Sequence, residues 1–364
     1  MRLLSSSLSL GFLLLVGGAV VGCGSDAPEP DCADEDTCAA NDDVTQAKAP
    51  FTLSAVKKAQ YPFVLHHGFN ASTTNSWSYY QVKETLEKDG QFVALSEVEP
   101  FAGVPKRAAS LARQIDDART AFCNKRFPQD PGCLARTKVN LVAHSMGGLD
   151  SRYLISKLGY GDRIASLTTI SSPHRGTAVA DYALKILPDS GGKAALALNS
   201  LMACFGKTFT QEDLAEGSDI RAAMESLSEK NAASFAVQTP NDPRVYYQSW
   251  AGVSRAVGGP RYRDSQDLVL SACEGKYFGS IGRADFMDSS LTAGSVMVGR
   301  GGSVPQDGMV TVASAKWGNF RGCYPADHLQ EVGQKKKSKA DAYTLFDHKI
   351  FFRNLASELA TRGY

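Results

Sequence analysis

The sequence predicts an α/β fold in which a mostly parallel central sheet carries helices on both faces. Three observations support that expectation. From Tyr61 onward, short apolar runs alternate with amphipathic stretches, the pattern of strands joined by helices. The apolar run at 138–143 leads into His144-Ser145-Met146-Gly147-Gly148, and residues 149–158 beyond it are helical in composition. The chain of 364 residues, 43% hydrophobic and 21% charged, is long and apolar enough to bury a large core.

The elements follow in order. Phe63-Val64-Leu65 reads as a buried strand, 80–88 as a helix and Phe92-Val93-Ala94-Leu95 as the next strand. Residues 108–122 form a second helix, and 138–143 the strand that ends at the serine turn. Residues 164–170 give one more strand, closed by Ser171-Ser172-Pro173. Strand signals then vanish, and apolar residues recur at helical spacing, as in Ala194, Leu196, Leu198, Leu201 and Met202. A helical insertion over about 178–242 is therefore expected. Val245-Tyr246-Tyr247-Gln248-Ser249-Trp250 resumes the sheet, and 295–298 is a candidate addition to it. Residues 342–362 read as a closing helix with Leu345, Phe352, Leu355 and Leu359 on one side. No internal repeat is evident.

Before the folded part, Met1-Arg2 and the mostly apolar stretch 3–21 have the charged start and short hydrophobic middle of an export signal. It ends at Val20-Val21-Gly22-Cys23, which resembles the lipobox of bacterial lipoproteins. Lipidation at Cys23 is favoured over free secretion, since no A-x-A-like cleavage pattern stands before Asp26. Residues 23–50 are acidic and poor in large apolar side chains, so they read as a flexible spacer. The expected organisation is a signal at 1–22, the spacer at 23–50 and a folded domain at 51–364.

Lysine plus arginine (39) balances aspartate plus glutamate (38), which argues against a nucleic-acid partner. Export would place Cys32, Cys38, Cys123, Cys133, Cys204, Cys273 and Cys323 in an oxidising compartment. Cys32 with Cys38 and Cys123 with Cys133 are candidate local bridges, and Cys273 with Cys323 a candidate brace for the loop before His328. Paired C-x-x-C spacing is absent, so no zinc site is expected.

The chemistry centres on Ser145. A serine hydroxyl is a weak nucleophile and needs a base, an acid that orients the base, and donors for the developing oxyanion. Small residues around Ser145 suit a strained strand-to-helix turn that lifts the hydroxyl out of the sheet, although Ala143 stands where G-x-S-x-G begins with glycine. Of His66, His67, His144, His174, His328 and His348, only the last three follow the serine, as the base does in this arrangement. His348 falls in the closing helix and His174 beside Arg175 in a loop, so His328 in the polar loop Tyr324-Pro325-Ala326-Asp327-His328 is favoured. For the acid, Asp307 in Gln306-Asp307-Gly308-Met309-Val310 is favoured over Asp285, Asp288 and Asp327. Amides of Met146 and of Phe69, in Leu65-His66-His67-Gly68-Phe69, are the candidate oxyanion donors.

Taken together, the chain resembles the family I true lipases of Pseudomonas and Burkholderia, which have the α/β-hydrolase fold. The segments that carry the resemblance are 61–69, 139–148, 172–177, Asp307-Gly308-Met309-Val310 and Asp327-His328-Leu329, in the family's order and with compatible gaps. The resemblance implies Ser145, Asp307 and His328 as triad, Phe69 and Met146 as oxyanion donors, and the helical insertion as a mobile lid. It also exposes a departure. The family's calcium-ligating aspartate is replaced by Gln330, and a carbonyl-lined loop by Lys335-Lys336-Lys337. These changes make the local field unfavourable for a divalent cation. No metal or cofactor is therefore expected, with one of the lysines pairing with Asp285 or Asp288 in the ion's place. Ala313 stands where disulfide-forming relatives have a cysteine.

The function expected is a serine carboxylester hydrolase, foremost a lipase acting on triacylglycerol or other hydrophobic esters through an acyl-serine. A short-chain esterase or polyester depolymerase with the same triad, and a non-catalytic lipid-binding surface lipoprotein, are the alternatives. The expected setting is export, either to the outer membrane or cell surface through lipidated Cys23 or as a secreted protein. No residue pattern addresses a folding helper.

Overall fold

The computed structural model describes residues 13–16, 19–22, 56–69, 79–186, 220–255, 266–278, 287–299, 304–333 and 344–364. Cys23, Cys32, Cys38, the spacer, the 194–202 pattern, Cys204, Asp285 and Lys335-Lys336-Lys337 lie outside them. Within the stretch read as an export signal, β1 (Leu13–Val16) and β2 (Ala19–Gly22) pair antiparallel as a separate sheet. Among the described residues, no helix is long and apolar enough to cross a membrane.

The main sheet contains β3 (Phe63–His66), β4 (Val93–Leu95), β5 (Val139–His144), β6 (Ile164–Ile170), β7 (Tyr246–Gly252) and β8 (Asn319–Tyr324). Their order is β4-β3-β5-β6-β7-β8, and every pairing is parallel. The central strands β5 and β6 are buried at every residue, as required when helices cover both faces of a parallel sheet. On one face, Phe63, Leu65, Val142, Ile170 and Trp250 pack with residues of α1 (Val82–Lys88) and with Phe351, Phe352, Leu355 and Leu359 of the last helix (His348–Thr361). On the other, Val64, Leu141, Ala143 and Leu167 pack with Leu111 and Ile115 of α2 (Val104–Arg126) and Leu154 of the helix after Ser145 (Gly147–Lys157). Neighbouring residues along each strand thus feed opposite cores, the period-two rule at work.

The chain leaves β3 for β4 on one side, then returns to place β5 on the other. This reversal opens a crevice beyond the carboxyl ends of β3 and β5, the place where open α/β sheets bind ligands. The described parts of 178–242 include three helices, Ala178–Ile186, Ile220–Leu227 and Glu229–Gln238. At the opposite end of the sheet, the Gln60 amide donates to the Tyr364 carbonyl (2.9 Å), and Tyr364 stacks on Tyr246 (centroids 5.1 Å apart). The two ends of the folded body therefore meet.

Three expectations need correction. Residues 295–298 belong to a helix, Thr292–Val298, not to the sheet. Gly294, Ser295 and Val298 are its buried positions, a helical spacing that so short a run cannot reveal. The closing helix begins at His348, and Leu345, assigned to its buried side, precedes it in a left-handed conformation (φ 59°) with 52% of its surface exposed. A third expectation is incomplete: the loop over 324–328 stands, but directly before it the sequence left unread an edge strand, β8. Arg321 and Gly322 interrupt its apolar alternation, and Gly322 has φ 134° beside a register shift opposite Ser249 and Trp250.

Candidate active site

Ser145 follows directly on β5 with φ 55°, the strained left-handed conformation expected of a nucleophile elbow, and its amide donates to the Ile170 carbonyl (2.9 Å). Small neighbours make the turn possible. A Cβ on Gly147 would lie 2.8 Å from the His67 carbonyl oxygen, and one on Gly148 would lie 2.1 Å from Ser172 Oγ. The helix can start here only because both positions are glycine.

Asp307 and His328 come from 162 and 183 residues further along, yet they meet the serine. His328 Nε2 lies 2.9 Å from Ser145 Oγ, and His328 Nδ1 lies 2.7 Å from Asp307 Oδ2. Asp307 is fully buried, and its Oδ1 accepts the amides of Met309 (2.9 Å) and Val310 (2.7 Å). The loop is secured in return by the His328 amide, which donates to the Asp307 carbonyl (2.8 Å). A carboxylate held this way keeps the imidazole proton on Nδ1 and leaves Nε2 to accept the serine proton. The arrangement can therefore activate a hydroxyl for attack on a carbonyl.

The other candidates are placed elsewhere. His174 is buried, stacked on Trp317 (5.2 Å), with Nε2 3.0 Å from Thr169 Oγ1 and Nδ1 3.3 Å from an Arg152 nitrogen, the loop-bracing role expected. His348 donates through Nε2 to the Tyr80 carbonyl (2.9 Å). Asp327 points away from His328, and its carboxylate takes the amides of Leu329, Gln330 and Asp288. Asp288 caps Ser290 through its own Oδ1.

Gly68 brings the β3 loop against the nucleophile. A Cβ there would be 2.6 Å from Ser145 Cβ and 3.1 Å from its Oγ. Neither the Phe69 nor the Met146 amide has a hydrogen-bond acceptor among the described residues, so both remain available as donors beside Ser145. Around them lies an apolar cluster of Phe101, Met146, Leu149, Ala183, Met224 and Leu227, with Phe69 packed against it. Met224 and Leu227 come from the helical insertion, so the serine neighbourhood is walled by apolar side chains.

Sequence reasoning missed a second layer behind the triad. Glu331 is completely buried, accepts from Ser171 Oγ (2.6 Å) and has its other oxygen 3.2 Å from His144 Nε2. The His144 ring lies 4.5 Å from that of His328. Burial, then the charge on Asp307, push the Glu331 carboxyl well above the usual carboxylate range, and burial pushes His144 well below 6.5. The position of Glu331, three residues after His328, was the sequence signal available.

His144, His328 and Glu331 bring ligand atoms within 4.8 Å of one another, but both His328 nitrogens are already engaged by Asp307 and Ser145, so they do not fit a metal centre. Nor do the described residues at the position where the sequence resemblance implied a calcium ligand fit a cation. Gln330 Oε1 accepts the Asp327 amide (2.9 Å), and the Asp327 carboxylate is filled by three backbone donors. The described disulfides are Cys123–Cys133 and Cys273–Cys323, both as expected, the latter tying the Gln266–Ala272 helix end to β8.

The chain is similar to several known proteins. Triacylglycerol lipase 2 of Saccharomyces cerevisiae is 28% identical over 78% of this chain and 73% of its own length. A triacylglycerol lipase of Burkholderia plantarii is 26% identical over 80% of this chain and 84% of its own. The crystal structure of a metagenomic carboxyl esterase superposes with a TM-score of 0.56 at 15% identity, covering 84% of this chain and 77% of that one, a likeness of fold. The family model for the alpha/beta hydrolase fold matches residues 61–265, which include the elbow and the Gly68 loop and make up more than half of the sequence, and the chain belongs to that family.

Proposed function

We propose that this protein is a serine carboxylester hydrolase of lipase type, which cleaves triacylglycerol or other hydrophobic esters through an acyl-Ser145 intermediate. The observation that carries the reading is the continuous relay from Ser145 Oγ through His328 to Asp307, at 2.9 and 2.7 Å. The lipase names of the sequence relatives support the substrate class, as do the apolar walls beside the serine.

In the reaction, His328 Nε2 takes the Ser145 proton as Oγ attacks the ester carbonyl carbon. The resulting oxyanion is met by the Met146 and Phe69 amides, each worth roughly 3 kcal/mol of transition-state stabilisation. His328 then protonates the departing alkoxide, leaving acyl-Ser145 and a free alcohol. Water, deprotonated by the same nitrogen, attacks the acyl carbon, and collapse of the second intermediate releases the acid and returns the proton to Ser145.

The reading includes no calcium, and the engagement of Gln330 and Asp327 with backbone donors supports that part of it. The protein is exported, anchored by a lipid on Cys23, with 23–50 as a spacer and the helical insertion as a lid. Two buried disulfides suit an oxidising compartment. Turnover of nitrophenyl esters of increasing acyl length tests the reading. Long-chain preference, lost in Ser145→Ala and unchanged by a chelator, is expected. Preference for short chains selects the esterase alternative, and no turnover by the wild type removes the enzyme reading.

A further inference from the structure

Arg107 on α2 has no solvent exposure in its side chain, and its guanidinium addresses three parts of the molecule at once. Nε donates to Asp150 Oδ2 (2.8 Å), and Nη1 donates to the Glu99 carbonyl (2.8 Å). Nη2 donates to the carbonyls of His67 (2.9 Å) and Gly68 (3.2 Å). A second donor reaches the same Gly68 oxygen. The Val98 amide donates to His67 Nε2 (3.2 Å), which puts the imidazole proton on Nδ1, and Nδ1 donates to the Gly68 carbonyl (2.9 Å). Asp150 also accepts from His66 Nε2 (2.9 Å) and lies in the helix that begins beside Met146, with its amide donating to the Met146 carbonyl (3.2 Å).

The geometry of a trans peptide gives these contacts a consequence. The Gly68 carbonyl and the Phe69 N–H share one plane and point in opposite directions. Fixing the carbonyl on Arg107 and His67 therefore fixes the direction of the Phe69 N–H. Asp150 completes the strut, linking the Arg107 end to the helix of the other amide donor. General packing does not call for such a group, since a buried Arg–Asp pair commonly contributes no more stability than apolar side chains of its size.

We propose that Arg107 is a positioning residue for the oxyanion loop, holding the His67 and Gly68 carbonyls so that the Phe69 amide faces the ester oxygen. This rests on the reading of Ser145, Met146 and Phe69 given above. It is separable from that reading by experiment.

The test uses Arg107→Lys, which keeps the charge but loses the fork, and His67→Leu, which leaves the Arg107–Asp150 pair intact. Reactive serine is titrated with a fluorophosphonate, and kcat per titrated site is measured on a nitrophenyl ester, together with the affinity for a boronic acid that forms a tetrahedral adduct on Ser145. Arg107→Lys is expected to lower kcat per site by about 100-fold and boronate affinity by a similar factor, with KM changed by less than about threefold. His67→Leu is expected to lower both about tenfold. A fall in titratable sites with unchanged kcat per site would mean that Arg107 serves folding alone, and overturns the proposal. If Arg107→Lys yields no titratable serine, His67→Leu decides, and unchanged kcat and boronate affinity overturn it. A wild type without turnover, or a Ser145→Ala variant that retains it, instead removes the hydrolase reading.

Discussion

Substituting alanine for Gly68 isolates the approach between the β3 loop and the nucleophile. The new methyl carbon would sit 2.6 Å from Ser145 Cβ, 3.1 Å from Ser145 Oγ and 3.2 Å from the His144 carbonyl oxygen. Non-bonded carbons rest about 3.5–4.0 Å apart, so the loop and the serine must separate by about 1 Å. A misplacement of that size costs about 100-fold in rate, or about 2.7 kcal/mol of activation free energy. The strain also lowers stability by about 1–3 kcal/mol, the usual range for overpacking. Steady-state kinetics on a soluble nitrophenyl ester, with thermal melting alongside, checks both. Gly159→Ala is the control. Its φ is 74° and nothing lies within 4 Å of the added carbon, so it should cost about 1–2 kcal/mol in stability without touching kcat. A Gly68→Ala enzyme with kcat within about threefold of wild type would refute the close-approach argument.

Other perturbations probe the rest of the site. Asp307→Asn should lower kcat by roughly 10⁴-fold at little cost in Tm, because the imidazole loses the acceptor that fixes its Nδ1 proton, and a loss under tenfold in single-turnover assays would contradict that. Removing Cys273–Cys323, which closes a sequence separation of 50 residues, should lower stability by about 4 kcal/mol in denaturant titrations under oxidising conditions. Burial lowers the pKa of His66, His67, His144, His174 and His348, so the unfolded chain binds more protons below about pH 6.5. Their contribution is present above that pH and is lost as pH falls, at up to about 1.4 kcal/mol per unit for each. Asp327, raised to about 6, and Glu331 act in the opposite sense, losing their contribution as pH rises, but the five imidazoles outnumber them. Tm should therefore fall from pH 7 to pH 5, and a rise over that interval in calorimetry would show the sign to be wrong.

What the sequence disclosed depended on how local the determinant was. The Ser145 turn was legible because strand, small-residue turn and helix are consecutive, the run Phe63-Val64-Leu65 because a parallel strand covered on both faces is apolar at successive positions, and 164–170 because its β-branched residues end at Ser171-Ser172-Pro173. Asp307 and His328 were legible through chain order, and the structure brings both to Ser145. The strand Asn319–Tyr324 was hidden because an edge strand needs only one paired side and tolerates Arg321 and Gly322. The helix Thr292–Val298 was hidden because a short apolar run has no measurable period. Arg107, Asp150 and Glu331 were illegible for another reason. Their partners are carbonyls and side chains up to 187 residues away, and a buried polar group is written in the sequence like any surface charge.

The meeting of Gln60 with Tyr364 bears on how the molecule would be held. Residue 63 opens β3, and Ser145, Gly68 and His328 all stand beyond the carboxyl ends of the strands. A tether joined upstream of residue 56 thus enters at the pole opposite the reactive serine, with the strands between them, about 13–23 Å of sheet. Were the chain tethered as proposed, the attachment and the crevice would stand at opposite ends of the folded body, and a flexible spacer would leave the crevice free to turn toward either the surface or the surroundings.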